Sequence, residues 1–257
     1  MHVPGRNLDE ERLEDDFEVS QGRFISSCKT FRYLGSIISH DLDDTADIDT
    51  RITKSQGAFA YMGPVLLNKK IHKRLRSSLY SALIVNNALW GCDSWAMTEK
   101  HYHKLDVFQN YCVRRLSGMT LYHCQHFKRS SKDMHSKLNL PKLSTTARIR
   151  QLRYLEKIAH QPTTRLTRQI IGCQAPRPSS EFKFARGRHT TTQSTYKDTL
   201  ETAGLCQKGK GADLGTWMPI LTSTNASQII EEHLGVPPGT YSRGRRIPKK
   251  TRETHNY

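Results

Sequence analysis

What the chain lacks narrows it first. No two of its six cysteines (Cys28, Cys92, Cys112, Cys124, Cys173 and Cys206) form a Cys-x-x-Cys pair, so a disulfide framework is not indicated and reduced thiols are the expectation. No stretch approaches the roughly 18 uninterrupted apolar residues of a membrane span, and the opening Met1-His-Val-Pro-Gly-Arg lacks the apolar centre of a secretory leader. No membrane partner is therefore expected, and the expected location is nuclear or cytoplasmic. Apolar residues reach only 36% and aromatics 8% of 257, so any core should be small relative to the chain. No internal repeat is present, and no Gly-x-Ser-x-Gly elbow frames the many serines and histidines as a nucleophile site.

Acidic residues are also unevenly scarce. Residues 1–50 hold 5 Lys/Arg and 12 Asp/Glu, whereas residues 51–257 hold 35 and 12. The excess of +16 for the whole chain, and of +23 after position 50, suits a polyanion whose counterions can be released on binding.

Along the chain, an acidic run from Asn7 to Glu18 precedes two β-like stretches, Phe17 to Ile25 and Thr30 to Ser39, which suit a short antiparallel pair. The period then becomes helical. Ile48, Ile52, Phe59, Met62 and Leu66 predict one amphipathic helix, with Asp43, Asp44 or Thr45 available to cap it. Ile71, Leu75, Leu79, Leu83 and Ile84 predict the apolar side of a second, whose other side is basic. Leu105, Phe108, Cys112 and Leu116 predict a third ending near Gly118, and Ser144 caps a fourth through Ile149, Leu152, Leu155 and Ala159. Past Gly172 the composition turns to Pro, Ser, Thr, Gly, Lys and Arg, with apolar islands at Trp217 to Leu221 and Ile229 to Leu234. A basic run of six Lys/Arg in ten, Arg243 to Arg252, fits either a nuclear address or a phosphate-binding tail.

Phe31-Arg-Tyr-Leu-Gly-Ser-Ile-Ile-Ser followed by Asp47-Ile-Asp-Thr-Arg-Ile-Thr-Lys-Ser resembles the Phe-x-Tyr-Leu-Gly-Ser motif and next helix of non-LTR (LINE-type) retrotransposon reverse transcriptases. Leu89-Trp-Gly-Cys-Asp-Ser-Trp is similar to that family's Leu-Tyr-Gly-x-Glu-x-Trp segment. Ile149-Arg-Gln-Leu-Arg-Tyr-Leu-Glu-Lys-Ile-Ala resembles its Arg-Leu-x-x-Leu-Gly-His helix, with Glu156 and Lys157 in place of Gly and His. Tyr196-Lys-Asp-Thr-Leu is a fainter echo, so the likeness runs over residues 17–205.

The resemblance implies that the Tyr33-Leu34-Gly35-Ser36 hairpin ends a polymerase palm beside the primer terminus, and that the following helices form a thumb holding template and primer. Gly35 by itself suits a turn or bulge; within the motif it implies close approach of the backbone to a phosphate. Polymerisation uses carboxylates that hold two metal ions. In this family they lie upstream of the hairpin, so the resemblance implies a truncated product with no catalytic residues and no cofactor; Mg²⁺ belongs to the intact parent polymerase. Asp41-Leu-Asp-Asp mimics the catalytic turn but lies on the wrong side of Tyr33-Leu34-Gly35, and it is expected to be a helix-capping turn.

Other clusters have plainer readings. His123-Cys-Gln-His126 with His135 carries zinc-type donors at no standard spacing and is expected to be a polar loop before Phe127. Trp90 and Trp95 flank Gly91 and are expected in the core. Basic clusters can be solvated faces, yet several recur after residue 50 with tyrosines among them. Lys69, Lys70, Lys73, Arg74, Arg76, Arg114, Arg115, Arg150 and Arg153 are therefore the candidate nucleic-acid contacts, together with the hairpin residues.

The expected fold is α+β and mostly α: an acidic lead and remnant palm hairpin over 1–50, a helical thumb-like bundle over 51–172, and a basic, partly disordered linker or tail over 173–257. The expected partner is an RNA–DNA hybrid, DNA or RNA, with association through the exposed hairpin edge as a further expectation. The competing readings are a retroelement relic without function and a zinc-dependent DNA-binding module.

Overall fold

The computed structural model describes residues 17–26, 28–41, 43–172, 192–205 and 219–241. It is α+β and mostly α, with a small antiparallel β region ahead of the helices. The acidic lead before Phe17 and the basic run from Arg243 lie outside the described residues.

The two β-like stretches do not pair with each other. Each folds back on itself: β1 (Phe17–Ser20) pairs with β2 (Arg23–Ile25), and β3 (Thr30–Tyr33) with β4 (Ser36–Ser39). The cause is local, because each stretch contains a residue pair that turns the chain. In the second, Leu34 (φ 48) and Gly35 (φ 90) both occupy the left-handed region, which is the requirement of a two-residue hairpin turn matched to strand twist. The second hairpin leaves Phe31, Tyr33, Leu34 and Ile38 exposed, and β4 rests against α1.

α1 (Thr45–Tyr61) follows the expected phase, burying Ile48 and Phe59, but it stops at Met62, where Gly63-Pro64 opens a separate turn, α2 (Gly63–Leu66). The next segment departs from a single helical period. α3 (Lys73–Tyr80) passes through a π-helical turn, Ser81–Val85, into α4 (Asn86–Ala88). The extra residue of a π turn rotates the buried face. Ile84, Val85 and Ala88 go inward beside Tyr80, and Leu83, expected on the apolar side, remains 41% exposed; Leu75, ahead of the turn and also expected there, is 54% exposed.

α5 (Glu99–Leu116) opens on a Thr98 capping box and ends at Gly118 (φ 70), as its Gly predicted. α6 (Leu121–His126) stands where a polar loop was expected, because Thr120 and His123 form a second capping box. α7 (Ser131–Leu138) leads to α8 (Leu143–Ala159). Ser144 is not the cap of α8 but a member of its first turn. The orphan donors there are met by α5, whose Asp106 accepts from Ser144 N at 3.0 Å and Oγ at 2.8 Å and whose Gln109 accepts from Leu143 N at 2.6 Å.

α8 joins two cores. Its Leu143 and Ala147 complete a cluster with Ile48, Tyr80, Trp95, Leu105 and Phe108, while Ile149, Leu152 and Leu155 face a second cluster with Tyr196, Leu200, Leu221, Ile230 and Tyr241. The second cluster takes in parts of the stretch read as a linker or tail past 172. Where residues 173–257 are described, they contain α10 (Thr192–Thr202) and α11 (Ala226–Leu234) packed on this body, after α9 (Leu166–Gly172). The buried Gln151 side chain links the cores, accepting from Tyr102 Oη at 3.3 Å and Thr199 Oγ1 at 3.1 Å and donating to Cys92 O at 3.2 Å. No helix among the described residues is long and apolar enough to cross a membrane.

Candidate nucleic-acid interface

α3 and the π turn form one wall of a groove of about 940 Å³, and α7, the turn after it and α8 form the other. His72 caps α3 by accepting from Arg74 N at 3.3 Å, which sets Lys73 and Arg74 on its exposed first turn. Lys73, Arg74, Lys137, Arg150 and Arg153 line the groove, and among the described residues no carboxylate does. Ser77 and Ser78 of α3 and Ser81 of the π turn line it as well. Ser77 Oγ is buried and hydrogen-bonds to no described residue. Cations spaced among hydroxyls, without acids, form a surface that attracts phosphates and can donate to their oxygens.

Four of the candidate residues, Lys73, Arg74, Arg150 and Arg153, thus come together from parts of the chain about 80 residues apart. Two of the four also hold the fold. Arg150 donates to Leu89 O at 3.1 Å and to Asn86, and Arg153 donates to Tyr241 O and Thr240 O, both at 2.7 Å. Lys73 and Arg74, both exposed, are the more available pair.

The other candidates do not line this groove. Arg76 is a structural clamp: its guanidinium donates to Ile71 O, Leu66 O and Leu116 O at 3.2, 3.3 and 3.0 Å, closing the helix ends around it. Lys69 and Lys70 are exposed in the turn before α3, with Lys69 lying over Gly118. Arg114 and Arg115 sit in the last turn of α5, Arg114 with its guanidinium 6.0 Å from the Tyr111 ring centroid. Lys137 and His72 were missed by sequence reading. Their sides of the groove meet only because α7 packs on α3, a contact between segments with no shared motif.

The hairpin tip is a second surface. Tyr33 and Leu34 are 57% and 82% exposed, while Arg51, 5% exposed, donates to Gly35 O at 2.6 Å and Ser36 Oγ at 3.3 Å. A side chain on Gly91 would come within 3.4 Å of Ser36 Oγ. The three sequence segments that carry the family resemblance up to residue 95 therefore meet: Asp47 accepts from Ile37 N and from Trp95 Nε1, each at 3.0 Å. Trp95 is core, as expected, but Trp90 is 60% exposed because the tight turn at Gly91 (φ 81) sends the two indoles in different directions.

The acids near the hairpin serve the fold. Asp43 accepts from Thr45 N at 2.7 Å at the start of α1, and Asp44 reaches across to Ala96 N at 2.6 Å. Asp49 pairs with Lys104 at 2.7 Å. In the His/Cys cluster, His123 is tied into its capping box, His126 stacks on Tyr122, and Cys124 Sγ lies 4.0 Å from Met134 Sδ. His135 is buried between Leu140 O and Asn110, each at 3.0 Å. Among the described residues no three His, Cys, Asp or Glu side chains gather where a metal ion could be held. Burial raises the Asp93 carboxyl above its ordinary value, against the pull of Arg150 and Lys157.

Comparison with protein-family models, with curated proteins and with solved structures gives no match.

Proposed function

We propose that this chain is a nucleic-acid-binding, thumb-like piece of a non-LTR retrotransposon reverse transcriptase, acting in the nucleus or cytoplasm on duplex or structured nucleic acid without polymerising. The observation that carries the reading is the acid-free groove of Lys73, Arg74, Lys137, Arg150 and Arg153. The meeting of the Tyr33-Leu34-Gly35-Ser36, Asp47 to Ser55 and Leu89 to Trp95 segments around Asp47 and Arg51 supports it, because residues that resemble one family's motifs are mutually packed rather than scattered.

Phosphate contacts position a duplex without reading its sequence, and a groove of cations and hydroxyls offers that kind of contact. Asp43, Asp44 and Asp47 are engaged in backbone and indole hydrogen bonds, so a metal would have to displace fold contacts to use them. The test is a titration of a labelled RNA–DNA hybrid at about 50 mM salt, where phosphate contacts are strongest, together with primer extension in Mg²⁺. The expected result is salt-sensitive binding, weakened by Lys73→Glu with Arg74→Glu, and no extension. An absence of binding at that salt favours the relic reading, and extension abolished by changing Asp43 and Asp44 overturns the non-catalytic one.

A further inference from the structure

α6 and the turn after it carry a ring cluster that the groove does not use. Tyr122 and Phe127 are 68% and 60% exposed. The Tyr122 ring stacks on His126 with centroids 5.7 Å apart and planes 10° from parallel, and Phe127 meets the same imidazole edge-on at 5.0 Å. The rings thus brace one another into an outward ledge. Its surroundings are basic: no Asp or Glu stands between Asp106 and Asp133, and Lys128, Arg129 and Lys132 follow the rings. Asp133 itself accepts from Ser130 N at 3.2 Å.

The turn after α6 borders a second cavity that shares residues with the groove. Lys128 takes a left-handed turn (φ 47), and Arg129 N bonds back to Cys124 O at 2.9 Å. Arg129 then lines that cavity, of about 320 Å³, together with Lys73, Lys137 and Leu138, which also line the groove, and with an acid, Asp133, whose carboxylate accepts from Ser130 N. Arg129, two residues after Phe127, thus gives a strand in the groove a cationic step in the direction of the rings.

We propose that Tyr122, His126 and Phe127 form a stacking platform for unpaired nucleobases of the strand held in the groove. Every base has an apolar π face, and aromatic side chains beside cations bind single strands with little sequence preference. The proposal rests on the groove being a nucleic-acid site and adds the class of substrate, a duplex with an unpaired extension.

The experiment uses the full chain and four probes: a blunt RNA–DNA hybrid, the hybrid with an unpaired extension of about six nucleotides, the same extension made abasic, and a free single strand. Abasic sites keep the phosphates and remove the stacking faces. The expected result is binding about tenfold tighter for the base-bearing extension than for either the blunt or the abasic probe. Tyr122→Ala with Phe127→Ala removes that gain and leaves blunt-hybrid affinity unchanged, and Tyr122→Phe keeps it. Equal affinity for the base-bearing and abasic extensions overturns the platform, as does a gain that survives the double variant or tight binding of an acidic peptide that competes at the rings. Should the double variant fail to fold, the abasic comparison on the unaltered chain decides. Should the blunt hybrid not bind while the free single strand binds through Tyr122 and Phe127, the groove reading fails, and with it the duplex-with-extension substrate, while stacking at the rings is upheld for single strands alone.

Discussion

The Trp95 indole donates its N–H to the Asp47 carboxylate at 3.0 Å, and both residues are 2% exposed. The same carboxylate accepts from Ile37 N and lies 3.7 Å from Arg51 Nε. One buried acid therefore ties together the β4 strand, α1 and the turn before α5.

Removing that acid leaves the Trp95 indole N–H and the Ile37 N–H short of a partner and takes the counter-charge from the buried Arg51. Asp47→Ala should cost about 3 kcal/mol, since hydrogen bonds to a charged group contribute roughly 1.5–3 kcal/mol and breaking a buried pair costs several. Asp49→Ala, which removes an exposed pair with Lys104, should cost about 1 kcal/mol or less. Urea unfolding of both variants checks the ordering, and equal losses would deny Asp47 its role.

Leu34 holds a left-handed conformation with its side chain 82% exposed, so it carries strain without a packing return. Leu34→Asn should stabilise the hairpin by about 1 kcal/mol, because asparagine tolerates that region and a branched apolar side chain does not. If Leu34 is a nucleic-acid contact, the same variant should weaken hybrid binding while raising the melting temperature. A stabilised variant with unaltered binding would remove Leu34 from the interface.

His101 is buried in the α5 cap, with Nε2 2.9 Å from Thr45 Oγ1 and 3.9 Å from Asp43. Burial is the main cause holding its imidazole below the ordinary value of 6.5, and Asp43 pulls it back upward. With the folded value depressed, the unfolded chain takes up the proton first as pH falls. This contribution to stability is present above about 6.5 and is lost as pH drops toward the folded value. Urea midpoints should fall from pH 7 to pH 5.5 in the parent chain and fall less in His101→Gln; parallel pH profiles would exclude His101 as a cause.

Binding in the groove should carry a salt signature. Five cations line it, and two are partly committed to carbonyls, so roughly four phosphates neutralised give a slope of about −3 to −4 in log affinity against log salt. Affinity should then drop about a hundredfold between 50 and 200 mM. Lys137→Glu, on the wall that sequence reading missed, should flatten the slope by about one, and an unchanged slope would place the strand elsewhere.

How much was legible follows from which interactions are local. The end of α5 at Gly118 needed only a neighbouring residue, and the Leu105, Phe108, Cys112 and Leu116 stripe is buried as its spacing implied. The phase of α3 was not legible, because a π turn at Ser81–Val85 is favoured by what it packs against rather than by its own composition. The start of α8 was misplaced for a similar reason: its cap comes from Asp106 and Gln109, over 30 residues away. The islands at Ile220, Leu221 and Ile229 to Leu234 were visible as apolar, but their polar flanks suggested a tail, and only the exposed side of α8 gave them a surface to cover.

The sequence by itself determined the class of fold and the excess of positive charge after position 50, since each depends on composition and spacing. Tertiary structure alone decided which cations share a groove. Arg76 and Arg74 are two residues apart and equally basic, yet one is spent on three carbonyls and the other faces the groove. That division is set by the packing of α3 on α2 and α7; a guanidinium beside unsatisfied helix-end carbonyls fills them, and one turned outward stays available to a phosphate.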